Sequence, residues 1–365
     1  MFRFYKSWDW LLVVNILLLV LFGLVTIYSL RFNRTDADLS LFVRQLIFAV
    51  IGLVLFAVIS RLHYRWAGVY YKIFYWLAII FLGLVLFLGV TINGTRGWLL
   101  IFGQTFQPVE FAKLALIVWL SRYYGEHLSD VRVWRTLLVG GLIGAILIFL
   151  VLQQPDFGSA IILFIIWLAL SFFLALPRRF YWQAVLILLL LISVSWFALA
   201  DYQQARITSF LNPGADPQGS GYNVRQAMIA VGSGQLWGRG FTLGSQSQLN
   251  FLPQSEADFI FSVVGEVLGF LGSSILLLLF FILLWRLLKF SSTITDPFGS
   301  LLQIGTFIYI FFQLGVNVAM NLGLWPVMGI PLPLISAGGS SLVVTLCLLG
   351  LIHSVQIHQS KLSVG

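Results

Sequence analysis

Residues 11–30 read LLVVNILLLVLFGLVTIYSL, a run of twenty residues without a charge. About 20 mostly apolar residues are what a helix needs to cross the hydrocarbon core of a bilayer, so this stretch predicts a membrane span. No small-residue cleavage site follows it, and it reads as an anchor and not as a removed signal peptide. The same pattern recurs at 41–60, 69–90, 107–123, 136–153, 158–176, 180–200, 259–288, 300–322 and 336–357. Composition agrees: of 365 residues, 60% are hydrophobic and 9% charged, against roughly 45–50% apolar and about 25% charged in soluble domains. Such a chain cannot cover a water-facing surface with charge, and it is too apolar to be disordered. The single cysteine, Cys347, excludes a disulfide framework and a Cys-built zinc site. The expected fold is an all-α integral membrane protein with ten transmembrane helices, forming one polytopic domain over residues 1–365. No internal repeat is evident, which speaks against an inverted-repeat transporter.

The net charge of +8 would suggest nucleic acid on a soluble protein, but no basic, aromatic-rich surface pattern supports that partner. In a membrane protein it reports orientation. With both termini cytoplasmic, thirteen of the 21 Lys and Arg residues fall on inner segments and six on outer ones, Arg44 and Lys113 lying inside spans. The outer six include Arg96, Arg206, Arg225 and Arg239. One connection is long: residues 201–258, a large extracellular loop between helices 7 and 8, rich in Gly, Gln, Ser and Asn. Loops of that length are usually functional or disordered. Residues 222–231 within it are expected to form a short amphipathic helix on the membrane surface. The glycine-rich GSGQLWGRG at 232–240 has no preceding strand, so a flexible loop is the favoured reading over a phosphate cradle.

Charges inside a bilayer are costly and tend to be functional. Arg44, Glu110, Lys113 and Glu266 all fall in the outer halves of their spans, and Asp156, Glu256 and Asp258 stand at the outer mouth. Glu266 is about 12 Å along its helix from Asp258 at 1.5 Å per residue. Their common depth describes a polar pocket opening outward. The structural alternative is pairing: Glu110 and Lys113, spaced i, i+3, can satisfy one another, and Arg44 can pair with Glu110 or Glu266. No charged stripe continues through the inner halves of the spans, which argues against a channel or a proton-driven pump. The four histidines, His63, His127, His353 and His358, all fall on inner segments and read as solvated or interfacial.

Five segments have more specific content: NGTRGW (93–98), QPVEFAK (107–113), QPDFGSA (154–160), FLPQSEADFIFSVVGEVLG (251–269) and MGIPLPLISAGGSS (328–341). Together, in this order, they resemble the SEDS family (shape, elongation, division and sporulation), over essentially the whole chain. The resemblance implies ten spans and a peptidoglycan glycosyltransferase that polymerises lipid II on the outer face of the bacterial cytoplasmic (inner) membrane, with a class B penicillin-binding protein as partner. It places the family's essential aspartate at Asp258, its outer Trp at Trp98, its Gln-Pro-x-Glu-x-x-Lys segment at Gln107, Pro108, Glu110 and Lys113, and its Pro-Asp-x-Gly segment at Pro155, Asp156 and Gly158. Departures occur. Gly97 stands where Arg usually precedes the Trp, with Arg96 before it. Gln254 replaces the Glu after Pro253, and Glu256 is placed to take over part of its role. Ala337 stands where the family has Tyr before Gly338, Gly339 and Ser340. The GIPLP segment at 329–333 favours the elongation branch over the division branch, and with it the elongation machinery as partner.

No nucleotide-binding motif is present, and transfer from a lipid pyrophosphate needs none. Asp258 is expected to be the general base, deprotonating the acceptor hydroxyl in one inverting step. Arg44, Trp98, Glu110, Lys113, Asp156, Glu256 and Ser340 are the expected substrate-binding residues; Glu266, Arg96, Arg206 and Arg225 are structural or unassigned. A divalent cation, Mg²⁺ or Mn²⁺, could share the stabilisation of the leaving pyrophosphate. The Asp36–Asp38 pair reads as a solvated turn. The rival readings are a lipid II flippase, which needs a polar path through both leaflets, and a scaffold that only docks a partner.

Overall fold

The computed structural model describes residues 8–32, 39–92, 94–101, 103–128, 133–174, 220–241 and 251–360, with single positions between 176 and 210. The helices are α1 (Trp10–Phe32), α2 (Ser40–Arg61), the short α3 (Arg65–Val69), α4 (Tyr71–Leu88), α5 (Pro108–Glu126), α6 (Val133–Leu152), α7 (Phe157–Ser171), α8 (Ser220–Ser233), α9 (Ile260–Ser291), α10 (Pro297–Asn321) and α11 (Gly339–Ser360). Among the described residues, seven helices are long and apolar enough to cross a membrane: α1, α2, α4, α6, α9, α10 and α11. The chain is a multi-pass membrane protein. The predicted spans 107–123 and 158–176 are also helical, as α5 and the shorter α7, while the stretch 180–200 lies outside the described residues. The fold is not wholly helical. β1 (Val90–Ile92), β2 (Thr95–Ile101) and β3 (Gln104–Phe106) form an antiparallel sheet in the order β1-β2-β3, with Val90 opposite Trp98 and Leu99 opposite Phe106. Its strands are too short for a hydropathy window tuned to spans to register.

α11 is the central element. Of its spanning window 89% is buried inside the protein, against 22% for α2 and for α4, which leave their apolar faces to lipid. Small residues set its approach to α2: a Cβ on Gly350 would stand 3.0 Å from Phe56 O, and one on Gly52 would strike Leu346. The two ends of the bundle differ. At one end Asp9, at the start of α1, pairs with Arg286 near the end of α9, and the His63 ring lies 4.4 Å from His358. The opposite end gathers the three-stranded sheet and the turns before α7, α9 and α11. His353 corrects one expectation: it is wholly buried, edge-on to Trp8 and stacked on Phe56.

α9 is broken at Gly269, whose φ of 66° and ψ of −162° are non-helical. The break frees four backbone groups, and each finds a partner in residues 235–240. Arg239 N donates to Glu266 O (2.9 Å) and Gly240 N to Val267 O (3.0 Å). Phe270 N donates to Gln235 O (2.8 Å) and Leu271 N to Leu236 O (3.2 Å). Unpaired backbone groups at this depth would cost several kcal/mol each, on the order of 2–7 kcal/mol. The glycine-rich segment is therefore a backbone clip seated in α9, neither a loose loop nor a phosphate cradle. The expected amphipathic helix exists as α8, but it packs on α9, with Ala227 and Ala230 fully buried.

Candidate active site

The five sequence motifs converge at the sheet-bearing end on one cavity of about 200 Å³. Thr95 and Trp98 enter from β2, Gln107 from the start of α5, and Asp156 from the turn before α7. Asp258 comes from the turn before α9, and Ser340 from the first turn of α11. Each is held by local geometry. Asp156 is the N-cap of α7: its Oδ1 accepts from Ser159 N (3.0 Å), satisfying one of the donors a helix start leaves open. Its Oδ2 accepts from Gln107 Nε2 (3.4 Å), and Gln107 N in turn donates to Ser340 Oγ (3.0 Å). Desolvation holds the Asp156 carboxyl above the usual carboxylate range, opposed by the hydrogen bond from Ser159 and by the charge of Lys113.

The turn that presents Asp258 is tightly wound. Gln254 sits at φ 53°, and its carbonyl accepts from Ala257 N (3.1 Å) and Phe259 N (3.4 Å). It is strapped to the 330–338 segment: Ala337 N donates to Glu256 O (2.8 Å). Ser336 Oγ donates to Ala257 O (2.6 Å) and accepts from Leu332 N (2.8 Å). Gln45 of α2 braces the same segment, its Nε2 donating to Ser336 O (3.0 Å). The Asp258 carboxylate faces Gly329, where a Cβ would stand 3.8 Å from Oδ2.

The other expected site residues go elsewhere. Lys113 Nζ lies 2.7 Å from Glu110 Oε1, both side chains about 1% exposed. Tyr309 OH donates to Glu110 Oε2 (3.4 Å) and shares a hydrogen bond with Thr345 Oγ1 (3.1 Å). This pair sits one turn deeper along α5 than Gln107 and is absent from the cavity wall. Arg44 is exposed on a second, more open groove with Val43, Ile47 and Gln104. Glu256 is half-buried and accepts from Ser255 Oγ (3.3 Å). Glu266 is fully buried in α9. Arg96 donates from Nη2 to Phe87 O (3.0 Å) and from Nε to Gly89 O (3.0 Å), which closes the C-terminus of α4. Arg225 is exposed on α8. Arg206, Asp36 and Asp38 lie outside the described residues. The single pocket expected from common depth is thus divided: helices rotate about 100° per residue, so equal depth on different helices does not give a common facing direction.

A family model for the FtsW, RodA and SpoVE cell cycle proteins matches residues 9–361. The chain belongs to this family. It is 34% identical over 366 residues to the peptidoglycan glycosyltransferase MrdB of Escherichia coli (strain K12), an alignment covering 98% of this chain and 96% of that one. Its fold is similar to a chain from a peptidoglycan synthase complex that coordinates polymerization and crosslinking, with a TM-score of 0.81 and 30% identity over 97% of this chain and 99% of that one. It is also similar to the rod shape determining protein RodA of Thermus thermophilus, with a TM-score of 0.71 and 30% identity over 96% of this chain and 97% of that one. The FtsW/RodA/SpoVE assignment therefore spans the clip, the sheet and every wall of the cavity.

Proposed function

We propose that this chain is a peptidoglycan glycosyltransferase that polymerises lipid II at the cavity, with Asp258 as general base. One observation supports this above others: five motifs spread over residues 93–341 meet around a single hollow, with Asp258 on its wall. In the step, the acceptor sugar's 4-hydroxyl gives its proton to Asp258 as its oxygen bonds to the donor's anomeric carbon. The bond from that carbon to the pyrophosphate oxygen breaks, its electron pair leaving with the lipid pyrophosphate. Attack opposite the leaving group turns an α linkage into a β-1,4 bond. Trp98 offers a flat face to a sugar ring. Gln107 and Ser340 are held by one another and by Asp156, so the acceptor meets a pre-set wall.

Among the described residues no Lys or Arg lines the cavity, while Asp156 and Asp258 do. A pyrophosphate beside two carboxylates is repelled unless a cation intervenes. The described residues hold no cluster of three His, Cys, Asp or Glu, but Mg²⁺ commonly uses one or two carboxylates plus substrate phosphates. The donor set fits such an ion, with Asp156 as its protein ligand and the Asp258 carboxylate kept as the base. When bound it would neutralise charge on the departing pyrophosphate.

On this reading the protein lies in a bacterial inner membrane with ten spans, both termini cytoplasmic and the cavity facing outward. The GIPLP segment, which forms part of the cavity wall through Gly329 and Pro331, favours an elongation role over a division role. A penicillin-binding protein is the fitting partner, since the similar structure is that of a synthase coordinating polymerization with crosslinking. The test is purified full-length protein with lipid II, no other glycosyltransferase, and arms with Mg²⁺, Mn²⁺ and chelator. Glycan strands that disappear with chelator support the reading. Movement of lipid II between leaflets without strands would establish the flippase.

A further inference from the structure

Asn317 and Asn321 lie one turn apart on α10, fully buried, where an amide without partners is costly. Neither reaches the cavity, yet both converge on the residue that matters there. Asn317 Nδ2 donates to Asp258 O (2.9 Å), and Asn321 Nδ2 donates to the same oxygen (3.1 Å). A carbonyl has two lone pairs, so this one is fully engaged. The helix does not need it: Ser262 N and Val263 N take Phe259 O instead. Fixing the Asp258 carbonyl fixes the peptide plane that follows it, and with it the direction in which the side chain leaves the backbone.

Each asparagine has a second bond with a separate effect. Asn321 Oδ1 accepts from Ser262 N (3.0 Å) and Ser262 Oγ (2.6 Å). α9 starts at Phe259, which offers no side-chain cap, so Asn321 supplies from another helix the oxygen that an N-cap Ser or Asp would supply. Asn317 Nδ2 also donates to Ile330 O (2.8 Å). One amide group thus ties the Asp258 turn to the wall that contains Gly329, the residue facing the Asp258 carboxylate. With the straps from Ser336 and Ala337 holding the turn from the other side, this side chain spans the gap between base and wall from behind both.

We infer that Asn317 is a positioning residue for Asp258, holding the carboxylate's aim and its spacing from the 329–331 wall, while Asn321 caps the helix behind it. This rests on the proposed role of Asp258. The test measures lipid II affinity, KM and kcat for full-length wild type, Asp258→Asn, Asn317→Leu and Asn317→Gln, with melting midpoints for each. Asn317→Leu removes both donated bonds, and a displacement near 1 Å at the base costs on the order of a hundredfold. The expected result is a kcat loss of about tenfold to a hundredfold, with affinity and KM within about twofold of wild type. Asn317→Gln keeps the donors on a longer stem and is expected to recover part of that loss; it serves alone if the Leu variant does not fold. A folded Asn317 variant with wild-type kcat, or one that loses affinity and kcat together, overturns the inference. Full activity in Asp258→Asn would instead overturn the reading of the site on which it rests.

Discussion

Glu110 and Lys113 were legible as a pair from their i, i+3 spacing, but nothing in the sequence told whether they face a substrate or one another. The structure closes them on one another, with Tyr309 completing the carboxylate's bonds. A buried pair contributes little net stability, but breaking it leaves an unpaired charge at a cost of about 3–5 kcal/mol. Lys113→Met is therefore expected to lower the melting midpoint sharply, and adding Glu110→Gln to restore much of it; thermal melts in detergent check both. Asp156 behaves differently because it lies at the mouth and caps α7. Its folded pKa is raised, so the folded state binds the proton more tightly than the unfolded chain does. The stability linked to this group is greatest below the unfolded carboxyl's pKa, about 3.8, and falls as pH rises through the raised value. Asp156→Asn keeps the cap and has no charge to desolvate; melts at pH 4 and pH 7 should show a smaller fall than in wild type. Asp156→Ala loses the cap and about 1 kcal/mol. The polar residues missed were uncharged ones inside apolar runs: Gln45, Asn317 and Asn321. They carry the same signal as buried charges, since an amide in hydrocarbon also demands partners, and a search for charges alone passes over them.

At the scale of elements, α10 has the same lesson along its length. Gln303, Thr306, Tyr309, Gln313, Asn317 and Asn321 recur at helical spacing and are all fully buried. Charge placement alone does not register this seam of neutral groups. None of the six reaches solvent, and Gln303, Tyr309, Asn317 and Asn321 bond to neighbouring segments. The clip on α9 is hidden from the sequence for a related reason. Glycines without a preceding strand suggest freedom, but Gly238 is required by close approach, since its φ is 80° and a Cβ would overlap Val267 O. Gly94, at φ 81°, has open space around its missing Cβ. Gly94→Ala is therefore expected to cost about 1 kcal/mol from backbone strain alone. Gly238→Ala should cost several times more and expose the amides of Phe270 and Leu271 to hydrogen exchange. Comparable melting midpoints for the two variants would contradict the clip.

Across the whole molecule, long apolar runs made the spans readable, because each is its own local statement about hydrocarbon. The sheet and the sorting of charges were not readable in that way, because they depend on how helices turn toward one another. The bundle has one end with Asp9, Arg286 and the His63–His358 contact, and another with the sheet and cavity. After Cys347→Ser, a cysteine at Gly103, in the β2–β3 turn, should react with an impermeant maleimide on intact spheroplasts, and one at Ser292, just beyond α9, should not. The reverse pattern would invert the topology. The most direct test of the account is the rate of lipid II polymerisation by Asp258→Asn beside wild type, with lipid II binding measured on the same preparations. Strand synthesis should vanish while binding and folding persist; a variant that still builds strands at the wild-type rate would show that the chemistry does not depend on this carboxylate.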